Sequence, residues 1–141
     1  MSDVIRKRSL SLLKPPPPIL EVTYQESDNP LISNGKDKKS FLVATGKDTW
    51  VFPWKPVGLY TGIDVRIPDD TVGLITGCPW SLEDKIHVHP QVLFDDSPIF
   101  LMVSKIGILP RKIKKGTYIG NLTIIGSNEC ILVEHQKDSL D

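Results

Sequence analysis

Pro68 to Ile125 reads PDDTVGLITGCPWSLEDKIHVHPQVLFDDSPIFLMVSKIGILPRKIKKGTYIGNLTII. Gly73-Leu-Ile-Thr76, Ile86-His-Val-His89, Ile99-Phe-Leu-Met-Val103 and Ile119 to Ile125 are short runs of branched and aromatic residues. Gly, Pro, Asp and Lys separate them, which is the pattern of strands joined by tight connections. Upstream, Ile19 to Tyr24, Phe41 to Ala44, Trp50 to Phe52 and Gly62 to Ile67 repeat it, and the polar stretch from Gln25 to Lys39 reads as a loop. No segment sustains a helical period. Strands at this spacing predict an all-β sandwich or closed barrel.

With 141 residues and 40% apolar content the chain is one domain's worth, large enough to bury about two-thirds of its unfolded surface. Lys plus Arg and Asp plus Glu number 17 each, so the overall field is not that of a general nucleic-acid binder and any electrostatic partner must be met locally. No run approaches the roughly 20 consecutive apolar residues of a membrane span. The opening MSDVIRKRSLSLLKPPPP has no signal-peptide apolar block. The expectation is an intracellular protein, of cytoplasm or nucleus, without a membrane partner. Cys78 and Cys130 are far apart and form no CxxC pair, which fits two reduced thiols.

Three segments are expected. Residues 1–18 form a basic, proline-rich arm in which Arg6, Lys7, Arg8 and Lys14 face Asp3 alone, and Pro15 to Pro18 impose an extended polyproline conformation. Residues 19–126 form the barrel, and 127–141 a short tail. The arm reads as a flexible, solvated spacer. Arg6 to Ser9 also fits a basophilic kinase site, while Arg6 to Arg8 is short for a nuclear signal and the prolines lack the spacing SH3 grooves read. Asp138-Ser-Leu-Asp141 ends on a charge, so a PDZ ligand is not supported.

Val72 to Gly77, Gln91-Val-Leu-Phe94 and Lys115-Gly-Thr-Tyr-Ile-Gly-Asn-Leu122 together resemble the core of dUTP pyrophosphatases. The likeness is closest to the retroviral type and covers roughly residues 37 to 125. It implies a distorted jelly-roll barrel and an assembly that exchanges the last strand around a threefold axis. It also implies an active site that this chain departs from at nearly every position. Leu42 stands where the family places an Asp that organises Mg²⁺ through its water shell. Gly77-Cys78-Pro79-Trp80 replaces the cation and hydroxyls that hold phosphate, and Pro79 removes a backbone donor as well. Phe94 occupies the place of the water-activating Asp, and Ser97 that of the Tyr that stacks on the sugar. Asp95 and Asp96 follow directly, but a one-residue slip turns a side chain to the other face of a strand, away from the water a general base must reach. Asn121 stands for Gln. The span from Gly126 to Asp141 has one glycine and no arginine, where the family carries the Arg-bearing, Gly-rich lid that excludes water.

The resemblance therefore implies a catalytically inactive relative, without metal or cofactor, whose polar cleft is filled by apolar bulk. That bulk is either ordinary core or a patch for a protein partner. Length and lost motifs also resemble those of stand-alone viral members, including the adenoviral early-region-four adaptor and dUTPase-related herpesviral proteins. The expected function is a protein-interaction module, a viral early or accessory protein acting on host-cell signalling or regulation. Two alternatives stand beside it: a residual dUTP-binding protein or weak pyrophosphatase, and a structural homo-oligomer, trimer or dimer. Candidate contact residues are Trp50, Trp54, Trp80 and Phe94, with Arg6, Lys7 and Arg8 on the arm. Trp50, Phe52 and Trp54 alternate, which puts them on one strand face as core or as interface anchors, and Pro53 and Pro56 mark an edge. His87 and His89 share a face, but with Cys78 or Cys130 they match no zinc spacing and read as hydrogen-bonded or solvated.

Overall fold

A computed structural model of the chain describes residues 16–25, 29–35 and 38–137. Arg6, Lys7, Arg8 and Lys14 of the expected arm, and Asp138 to Asp141, lie outside the described residues. Two five-stranded sheets pack face to face, joined at one end by a two-stranded ribbon. The first sheet runs β12 (Ile131–Gln136), β1 (Ile19–Tyr24), β5 (Val57–Arg66), β9 (Asp96–Lys105), β7 (Ile86–Val88). The second runs β2 (Ile32–Ser33), β3 (Ser40–Ala44), β11 (Tyr118–Ile125), β6 (Val72–Gly77), β8 (Gln91–Leu93). The ribbon pairs β10 (Arg111–Ile113) with β4 (Thr49–Val51). A single helical turn, α1 (Pro79–Glu83), opens on proline, whose missing N–H is an orphan at that position anyway.

Alternation decides the faces. Leu20, Val22 and Tyr24 of β1 point inward between exposed Ile19 and Glu21, and Phe41 and Val43 of β3 meet them from the other sheet within one core. Leu59, Ile75, Leu101, Val103, Leu122 and Ile124 complete its centre with essentially no exposure. Where the chain after β3 runs against β5, the backbone leaves no room for a side chain: a Cβ on Gly46 would lie 2.9 Å from the Thr61 carbonyl oxygen.

The all-β architecture follows the strand rhythm, and several elements differ from expectation. β5 begins at Val57 rather than Gly62, because a bulge between Tyr60 and Asp64 divides one long strand whose first half pairs Leu59 with Leu101. Ile32 and Ser33, inside the expected loop, pair with β3 as a minimal edge strand. Ile131–Gln136, in the stretch expected as a tail, adds to β1 in parallel, from Ile19 opposite Ile131 to Tyr24 opposite Gln136. The Tyr24 hydroxyl reinforces that pairing, donating to Glu134 Oε1 at 2.9 Å while accepting the Leu31 N–H at 2.9 Å.

The shared face expected for Trp50, Phe52 and Trp54 does not form. β4 ends at Val51, which is buried, and the chain then folds back through a Phe52–Lys55 bridge. Trp50 and Trp54 are consequently exposed, by 54% and 71%, and only Phe52 and Trp54 touch, with ring centroids 5.7 Å apart. The turn breaks the strand period on which a core placement depends.

Candidate functional site

Three of the four motif-like segments converge. Leu42 on β3 pairs across Asn121 on β11, which pairs in turn with Thr76 on β6, so a single row crosses the outer face of the second sheet. Leu42 is half-buried in that row, and Asn121 Oδ1 accepts from Asn34 Nδ2 at 3.2 Å. Beyond Gly77 the chain leaves β6 and folds over β11. The Cys78 N–H donates to the Ile119 carbonyl at 2.8 Å and its thiol to the Gly120 carbonyl at 3.2 Å. Burial pushes the Cys78 thiol up to about 11. Ser81 is buried with its hydroxyl donating back to the Cys78 carbonyl at 2.7 Å.

Trp80 closes this junction from outside. Its indole Nε1 donates to the Tyr118 carbonyl at 2.7 Å, and the Tyr118 hydroxyl donates to the Pro30 carbonyl at 2.7 Å. The turn that leads into β11 places Gly116 at a φ of 87°, a left-handed conformation suited to glycine, and its N–H reaches the Thr45 carbonyl at 2.8 Å. Asp48 accepts the Lys115 N–H at 2.7 Å, and that bond holds its carboxyl below the usual carboxylate range. Tyr118 and Asp48 were not legible as site residues. Nothing in their local sequence distinguishes them from ordinary strand and turn positions.

The fourth segment stands apart. Leu93 pairs with Gly73 at the far end of β6 from Gly77, a separation of roughly 13 Å at the usual rise of a strand. Phe94, just beyond, is 64% exposed, so it does not fill a cleft as core. Asp95 has a φ of 56° and ties the turn through its carbonyl, which accepts the Ile67 N–H at 3.1 Å. Asp96 faces Arg66 at 3.7 Å. Ser97 lines an open cleft of about 570 Å³ together with Glu21, Thr23, Asp64, Arg66 and Asp96, a mixed-charge hollow on the outer face of the first sheet.

Of the candidate contact residues, the structure sets Trp50 on β4 opposite Lys112, Trp54 in the turn after it, Trp80 on β11, and Phe94 at the opposite end of β6. His87 is exposed and His89 shares a hydrogen bond with Ser104 Oγ at 2.8 Å. Their rings lie edge to face at 4.7 Å. Among the described residues no three His, Cys, Asp or Glu side chains cluster as metal ligands.

No family model matches the sequence, and no curated protein sequence does. Solved structures match well. A mutant dUTPase from phage phi11 of S. aureus, which coordinates a structural Mg(II) ion, superposes with a TM-score of 0.69 at 13% identity, covering 86% of this chain and 97% of that one. The Staphylococcus bacteriophage 80alpha dUTPase bound to dUPNHPP gives 0.66 at 15% identity, covering 86% and 88%. A mutant of the 80alpha enzyme gives 0.62 at 15%, covering 86% and 96%. The fold is the dUTPase jelly roll, reached here by a sequence that shares few residues with those enzymes.

Proposed function

We propose, from a fold held in common with phage dUTPases, that this chain is a catalytically inactive form of that fold working as a protein-interaction module. The role that fits it is a viral accessory protein acting on regulation inside a host cell. One observation carries this: the junction where the family presents a cation and hydroxyls to phosphate is sealed by the chain's own bonds. Cys78, Trp80 and Ser81 all donate to carbonyls of this protein, and Pro79 has no N–H to offer. A triphosphate placed there would have to break those bonds, and a carbonyl left unpaired in a buried setting is costly. Leu42 and Phe94 bring no oxygen to Mg²⁺ or to an attacking water. Phage dUTPases described as controlling the transfer of virulence genes by a proto-oncogenic G protein-like mechanism lend the fold a regulatory precedent.

Thermal denaturation with dUTP and Mg²⁺ tests the first half. Only a ligand of the native state raises its stability, so the melting curves with and without nucleotide are expected to superimpose. A midpoint that climbs and saturates with dUTP would sink the inactive reading. Affinity purification from host cells tests the second half, using the intact chain beside one with Arg6, Lys7 and Arg8 changed to alanine. Recovery of no reproducible partner with either protein would end the adaptor reading.

A self-assembled form is the second reading, favoured by the split between Phe94 at one end of β6 and Cys78 to Trp80 at the other. Only a neighbouring copy can bring those two ends together. Sedimentation at several concentrations checks it, and a mass of one chain throughout would remove it.

A further inference from the structure

The exposed apolar side chains are not evenly spread. The connection from β9 to β10 is Ile106-Gly-Ile-Leu-Pro110, in which Ile108 is 87% and Leu109 68% exposed. Backbone bonds fix what surrounds it. The Lys105 N–H donates to the Phe52 carbonyl at 3.2 Å and the Ile106 N–H to the Lys85 carbonyl at 2.7 Å. Arg111 stands opposite Val51 and Lys112 opposite Trp50, and Arg111 Nη1 reaches the Asp84 carbonyl at 3.0 Å. One end of the barrel therefore carries exposed Ile108, Leu109, Trp50 and Trp54 on segments that also bring Lys55, Lys85, Lys105, Arg111 and Lys112, of which Arg111 pairs with Asp84 at 3.4 Å and Lys112 with Asp48 at 3.6 Å. Segments 47–55, 82–85 and 105–115 hold eight Lys and Arg against three Asp and Glu, so this end is strongly basic in a chain whose total charge is zero.

We propose that this end of the barrel docks on an anionic lipid surface, with Ile108 and Leu109 entering the acyl boundary, Trp54 at the headgroup level and the amines on lipid phosphates and carboxylates. Ile108 and Leu109 stand exposed on one connection, and a bilayer interface receives exposed aliphatic side chains without a preformed pocket. Exposed aliphatic side chains, an exposed indole and lysines close by in the fold are the groups that a membrane interface receives together. The amines also answer the negative surface potential of acidic lipid. The sequence expectation of no membrane partner rested on the lack of an apolar span. Peripheral docking needs none, and no helix among the described residues is long and apolar enough to cross a bilayer.

Flotation of the full chain with vesicles tests the proposal, comparing phosphatidylcholine alone with phosphatidylcholine containing about a third phosphatidylserine. Binding is expected to the acidic vesicles only, to weaken as salt rises toward a Debye length of about 3 Å, and to shift tryptophan emission to the blue. Ile108→Asp with Leu109→Asp is expected to lower the partition by at least about tenfold, and Lys55→Glu with Lys85→Glu by a similar factor. Both pairs are exposed, so their melting temperatures should match the parent and separate lost docking from lost folding. Equal recovery on both lipid compositions would overturn the proposal. So would full binding by the Ile108, Leu109 variant, with loss only when Arg6, Lys7 and Arg8 are neutralised. Absence from every vesicle, with recovery of an acidic protein that depends on Ile108 and Leu109, would assign the surface to a protein partner instead.

Discussion

Cys78 is held by structural bonds on both its backbone and its side chain. Its thiol, buried and bonded to the Gly120 carbonyl, is pushed up to about 11 from an ordinary value of 9.0. The unfolded chain therefore forms thiolate first as pH rises, and the contribution of Cys78 to stability is complete below about pH 9 and lost as pH climbs through about 11. A difference of about two units sets an upper bound of roughly 3 kcal/mol on that contribution. Cys78→Ser keeps a donor without titrating in this range, so its melting temperature should fall less than the parent's between about pH 8 and about pH 10.5. Tyr24 and Tyr118 are also pushed up by burial, but they are common to both proteins and cancel in the comparison. Gly46→Ala is expected to cost about 2 kcal/mol, read as a lower urea midpoint at unchanged slope, because the new Cβ would meet Thr61 backbone rather than a side chain that can turn away. That Leu42, Pro79, Trp80 and Phe94 carry no side-chain ligand for phosphate or Mg²⁺ was legible in the sequence. Their exposure was not, since it depends on where β8 ends and on which carbonyl the Trp80 indole finds.

At the scale of elements, long alternating runs were legible and short edges were not. Ile19–Tyr24 was read to its ends because both the apolar alternation and the flanking prolines are local. Ile131–Gln136 was missed because it is an edge strand whose residues are exposed or half-buried, leaving little apolar rhythm to read, and its partner lies more than a hundred residues away. The Trp50–Trp54 alternation misled for the converse reason: a local period persisted across a turn that only pairing with β10 makes visible. Tyr24 joins β1, β12 and the residue-31 turn through one hydroxyl. Tyr24→Phe removes both bonds and leaves the buried Leu31 N–H without its acceptor. Destabilisation by about 1–3 kcal/mol is expected in chemical denaturation, and a change within error would show that water replaces the hydroxyl.

For the whole molecule, the decisive pairing joins distant stretches of sequence. The first sheet is incomplete until β1 meets β12 across most of the chain, so folding is expected in milliseconds to seconds, as for other barrels dominated by non-local pairing. A chain ending at Cys130 lacks β12 and leaves β1 with an open edge, which invites pairing with another molecule. Size-exclusion chromatography should then show association beyond that of the parent, and an equally stable product that elutes no earlier than the parent would mean that β1 needs no cover.

The parallel sense of that pairing also sets how the protein bears load. Force applied through Pro16 and Lys137 enters at the Ile19 end of β1 and leaves at the Gln136 end of β12, the two opposite ends of one ladder. The strands must slide past each other, and all their rungs resist at once. Between Pro16 and Pro68 the same force meets an antiparallel pair at a single end, where Glu21 faces Arg66, and the rungs open in succession. A molecule gripped by its two ends is held in shear, and one gripped across β1 and β5 is unzipped.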